Sequence, residues 1–193
     1  MVKGSIVAIV SFLHAASLPL LAQSEPDLSR LLANEGGREK AISFVASSRA
    51  ERIPLLLNLT KTAPPDVDEH DLHVGLADAF GALKVTDAIP FLLLNITLRR
   101  DAFIDLRPWF KTTQAIEQSF PSVAALILIG PTASRAAMRA YDQATTPEER
   151  LAIVFVVSRI RSVPEAKNFL STVAGRADLE RSFAQEGMKT VIQ

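Results

Sequence analysis

The chain has 193 residues, with 21 basic against 21 acidic side chains and no cysteine. Balanced charge removes the long-range attraction that draws basic proteins to nucleic acid or to an anionic membrane surface. The missing cysteines exclude disulfide bracing, thiolate metal sites and a thiol nucleophile, so packing alone must hold the fold.

In chain order, the first segment reads as a targeting sequence. Lys3 precedes an apolar run from Ile6 to Ala22, broken by His14 and Pro19. A basic start, an apolar middle and a small residue at the end form the layout of a secretory signal peptide. Leu20 occupies the upstream recognition position, where a smaller residue is usual. The competing reading is an uncleaved anchor, because the run approaches the ~20 residues that a spanning helix needs. Pro19 and the polar exit Gln23-Ser24-Glu25-Pro26-Asp27 favour cleavage. The expectation is a signal peptide over 1–22 and an exported domain over 23–193, periplasmic or secreted, with no membrane insertion after cleavage. A domain of that size buries about two thirds of its surface, enough for an independent core.

Helical periodicity dominates the rest of the chain. A more charged helix is expected over 27–34. Asp68 reads as an N-cap, with Glu69 and Asp71 suited to the positive end of the helix it opens. Leu72, Leu76, Ala79, Phe80 and Leu83 share one face of that helix. The next helix is expected over 86–97, with Pro90 tolerable only in its first turn. Its middle, Ile89-Pro90-Phe91-Leu92-Leu93-Leu94, is apolar nearly all round and predicts cover from several neighbours. Apolar helices are also expected over 123–129 and 148–161, the second of them central, with Ile153, Phe155, Val156 and Val157 in the core. The tail 178–193 is again more charged.

The string Ala50-Glu51-Arg52-Ile53-Pro54-Leu55-Leu56-Leu57-Asn58-Leu59-Thr60 echoes the residues from Thr86 to Thr97, at an offset of 36 for Ile-Pro and 37 for Leu-Asn. Short turns opening on Pro recur at Gly130-Pro131 and Val163-Pro164, and short turns force neighbouring helices antiparallel. Ala77-Asp78-Ala79-Phe80-Gly81-Ala82-Leu83-Lys84-Val85-Thr86-Asp87-Ala88-Ile89-Pro90-Phe91-Leu92 resembles the helix–turn–helix unit of HEAT-like and armadillo-type repeat proteins. The segments 125–137 and 154–170 resemble it more loosely, and the resemblance spans 38–192. It implies an all-α, right-handed solenoid of about five antiparallel helix pairs, in which stacking buries faces that one pair leaves open. The matched positions Arg52, Ala88, Ala133 and Ala166 lie 36, 45 and 33 apart, so the repeat is irregular. Its long interval holds an insertion over 98–111.

Three constellations could carry function. Glu69, His70 and His73 lie within one helical turn, a spacing that a divalent cation can use. An acidic first turn serving the helix end explains the same residues more simply, so no metal and no cofactor are expected. The insertion concentrates the only Trp, two Phe and three Arg. Aromatic and Arg side chains anchor interfaces, so Arg107, Trp109 and Phe110 are the candidate partner-binding residues. The alternative is that these aromatics roll onto the stack and cover it. Arg135, Arg139, Arg159 and Arg161 are candidates for a basic edge, with Glu148 and Glu149 nearby to neutralise it. Asn58-Leu59-Thr60 and Asn95-Ile96-Thr97 match the glycosylation acceptor pattern at equivalent repeat positions. No phosphate loop or nucleophile elbow is present. The function expected is that of a non-enzymatic scaffold or adaptor binding a protein partner. An apolar-ligand or lipid carrier is the alternative, and a metal-binding enzyme ranks third.

Overall fold

The computed structural model describes residues 27–101, 113–160 and 163–174. The expectations for 1–22 and 178–193 lie outside the described residues. Among those described, all regular structure is helical and no strand occurs. The helices are α1 (Leu28–Ala33), α2 (Arg38–Ala46), α3 (Arg49–Leu59), α4 (Glu69–Ala82), α5 (Ile89–Leu94), α6 (Thr113–Ser119), α7 (Pro121–Ile129), α8 (Pro131–Ala140), α9 (Pro147–Arg159) and α10 (Pro164–Val173). None of them is long and apolar enough to cross a membrane.

Local chemistry sets the ends. Asp68 caps α4, its Oδ1 accepting from the Asp71 amide at 2.9 Å. At the other end Lys84 adopts φ 51°, and the Val85 amide bonds back to the Phe80 carbonyl at 2.9 Å. This is a Schellman turn with Lys in the left-handed place that Gly usually takes. Pro opens α7, α8, α9 and α10, where its missing N–H costs nothing. A single residue, Gly130 at φ 87° and ψ −138°, joins α7 to α8; that backbone is open essentially to glycine alone. Thr146 and Glu149 form a reciprocal capping box at the start of α9.

Packing centres on α4, α7 and α9. Gly75 of α4 lies so close to α1 that a Cβ would stand 2.1 Å from the Leu32 carbonyl oxygen. Gly81, on the other side, would place a Cβ 2.8 Å from Ala125 Cα of α7. Small residues thus let three helices approach backbone to backbone. Leu151 to Ser158 of α9 are all buried, and Phe155 is 3% exposed, as its apolar run requires.

The helix expected over 86–97 is shorter. A 3-10 turn, Thr86–Ala88, precedes α5, which ends at Leu94. There the Asn95 side chain donates to the Phe91 carbonyl at 3.0 Å, and Ile96 turns back into the core at 1% exposure. The echoing strings also differ in place: Pro90 begins α5, whereas Pro54 lies inside α3, past its first turn.

Candidate functional site

A hollow with a volume of about 590 Å³ lies between α5, α8 and α9. Its floor is Ile89, Ile96 and Ile153, each at most 5% exposed. Its α8 wall is Ala136 and Ala140, and the small size of these side chains leaves the space open. Leu93 and Leu94 form the α5 wall, and Leu94 stands 84% exposed. The expected all-round cover of α5 is therefore incomplete: Ile89 and Leu92 go inward, while Pro90 and Leu94 stay in solvent.

The rim is polar. Glu149 Oε2 accepts from the Thr145 amide at 2.7 Å, the Thr146 amide at 3.1 Å and the Thr145 hydroxyl at 3.1 Å. The amides of Thr146 and Thr145 hold its carboxyl below the ordinary range, against a small opposing effect of burial. Arg139, in the last turn of α8, is exposed and has no ion-pair partner among the described residues. The arrangement presents apolar surface ringed by a few polar groups and suits non-covalent capture of apolar side chains.

The metal-spaced residues do not converge as one set. His73 turns inward, its ring edge-on to Phe91 with centroids 5.1 Å apart, and its Nε2 lies 3.8 Å from Glu69 Oε1. Burial lowers the His73 imidazole below its ordinary value; Glu69 pulls it up in part, and His70 pushes it down. His70 instead faces Asp71, Nδ1 to Oδ1 at 3.4 Å. The ligand atoms that do gather, within 4.8 Å, are those of Asp68, His70 and Asp71, and the cap of α4 accounts for Asp68 and Asp71.

Arg107, Trp109 and Phe110 lie outside the described residues. The base of the insertion is described. Arg99 and Arg100, two of the three arginines of the insertion, are engaged inside the fold. Arg99 donates to Glu148 of α9 at 2.9 Å. Arg100 grips both oxygens of Asp78 on α4, with one bond at 2.7 Å, and its Nε donates to the Gln118 carbonyl at 3.0 Å. Arg38 adds a third contact to Asp78 at 3.3 Å. The basic edge divides as well: Arg159 pairs with Glu117 at 3.0 Å, and Arg161 is outside the described residues. Arg135 and Arg139 remain exposed. The cleft itself is not legible in the sequence. Its one visible signal is a helix with more apolar residues than a single buried face can use.

Compared with protein-family models, with curated proteins and with solved structures, the chain matches none of them.

Proposed function

We propose that the chain is an exported, non-enzymatic interaction module that holds a protein partner on the cleft between α5, α8 and α9. One observation carries this reading: a floor of buried isoleucines runs outward to Leu94, a large apolar side chain 84% exposed. Covering such surface is favourable by about 25 cal/mol per Å², so a partner that covers Leu94 and the cleft wall beside it gains from the contact. The architecture proposed behind it is the HEAT-like or armadillo-type right-handed solenoid. Contacts of α4 with both α1 and α7, of α7 with α9, and of α8 with both α5 and α10 support two rows of stacked helices. In this reading the signal over 1–22 is removed, and Arg107, Trp109 and Phe110 provide a second contacting edge. Neither nucleic acid nor a cofactor takes part.

The test is affinity capture from the extracytoplasmic fraction of the source cell, wild type beside Leu94→Arg, with quantitative mass spectrometry. A partner held by the wild type is expected to vanish from the variant, while the thermal melt stays unchanged because Leu94 packs against little. Identical capture by the two proteins overturns the reading. The cleft volume, about 590 Å³, also lies in the range of about 300–1,000 Å³ typical of small-molecule sites, which favours an apolar-ligand carrier as the second reading. Native mass spectrometry showing a retained ligand would select that one.

A further inference from the structure

We propose that the occupant of the cleft is an acidic amphipathic peptide segment, its apolar side chains seated on Leu93 and Leu94 and its carboxylate on Arg139. This rests on the reading of the cleft as a protein-docking site and adds the charge of the partner. Two charged side chains line the hollow, Arg139 and Glu149. They are not equivalent. Glu149 is satisfied from within, by two backbone amides and a hydroxyl, at the positive end of α9. Its neighbour Glu148, which would otherwise add negative charge, is taken by Arg99. Arg139 has no such partner among the described residues, so its guanidinium keeps its donors free for a carboxylate from outside. Arg135, one turn earlier on the same helix and also exposed, extends the positive edge.

The shape of the apolar surface favours a peptide over a single alkyl chain. Within the hollow the surface runs from the buried isoleucines up the α5 wall to the exposed Pro90 and Leu94. An alkyl chain sunk on the isoleucine floor leaves that outer part wet. A helical or extended segment with apolar side chains one turn apart covers both.

The experiment uses a displayed library of random dodecapeptides, selected on the full chain and counter-selected on Leu94→Arg. The enriched peptides are expected to combine apolar residues with Asp or Glu. Arg139→Glu should then weaken a selected acidic peptide about tenfold, the scale on which an exposed attractive pair becomes a repulsive one. It should also strengthen the Lys-for-Glu twin of that peptide, with Arg139→Gln in between. Leu94-dependent peptides with no acidic bias, or insensitive to Arg139, overturn the charge assignment and leave the docking cleft standing. If no enriched peptide depends on Leu94, the cleft reading falls as well. One-to-one, Arg139-dependent retention of dodecanoate in native mass spectrometry, with no peptide enriched, puts an anionic amphiphile in the peptide's place and overturns the proposal.

Discussion

At the scale of single residues, the core contains groups whose chemistry does not match their surroundings, and these make sensitive probes. Ser122 of α7 and Ser134 of α8 are fully buried, and neither hydroxyl finds a hydrogen-bond partner among the described residues. An unsatisfied buried hydroxyl costs about 1–3 kcal/mol. Alanine at either position keeps the Cβ and removes the dehydrated oxygen. Ser122→Ala and Ser134→Ala are therefore each expected to raise stability by about 1 kcal/mol in denaturant unfolding, and a loss of stability would mean that the hydroxyls have partners in solution. His73 is a second probe. Burial against Phe91 disfavours its charged form, so its folded value lies below the ordinary 6.5. Above the ordinary value both folded and unfolded chains hold it neutral, and its environment carries no pH dependence. Below it, the unfolded chain binds the proton first, so stability falls as pH drops from about 6.5 toward the folded value. His73→Gln should flatten the fall in unfolding free energy between pH 7 and pH 5.5. Parallel curves for wild type and variant would show that another group is responsible.

At the scale of elements, what was legible in the sequence was local, and what was hidden depended on contacts far along the chain. The Asp68 cap and the buried α9 were readable because a cap lies three residues from the amide it serves and an all-apolar run has only one stable place. The early end of α5 was not, because it depends on Ile96 finding the core. The echo between Ile53-Pro54 and Ile89-Pro90 misled for a related reason: similar strings sit at different depths in their helices, since the turns before them differ. The two glycines of α4 were invisible as contacts, because Leu32 and Ala125 lie over forty residues away from one or the other. Gly75 gives the sharpest consequence. In an exposed helix Gly→Ala stabilises by up to about 1 kcal/mol. Here the added methyl would meet the Leu32 carbonyl oxygen, a backbone atom that can yield only by moving α1 away from α4. Gly75→Ala is expected to destabilise by about 1–3 kcal/mol despite its better helix propensity. A rise in melting temperature would show that α1 is not held against α4.

At the scale of the whole molecule, two proposed contact regions raise the question of whether they serve one partner. The described start of the insertion includes Arg99 and Arg100, which are fixed to α9 and α4. Glu148, the partner of Arg99, is adjacent in sequence to the cleft residue Glu149. The start of the insertion and the cleft are therefore both tied to the first turn of α9. If Trp109 is a hot spot on the same partner as Leu94, Trp109→Ala should cost about 2 kcal/mol or more of binding, near a thirtyfold loss, with little change in the melt. If its ring instead covers the core, the order reverses: the melting temperature drops sharply and binding weakens only as the protein unfolds. Combining it with Leu94→Arg decides whether the two regions act together. Effects of separate, independent sites add to within about 0.5 kcal/mol, whereas residues engaging one shared segment couple by about 0.5–3 kcal/mol. A partner gripped between the cleft and the insertion should thus show less than additive losses in the double variant. Strict additivity in two well-folded single variants would separate the regions, and full affinity in a folded Trp109→Ala protein would remove the insertion from the interface and leave the cleft alone.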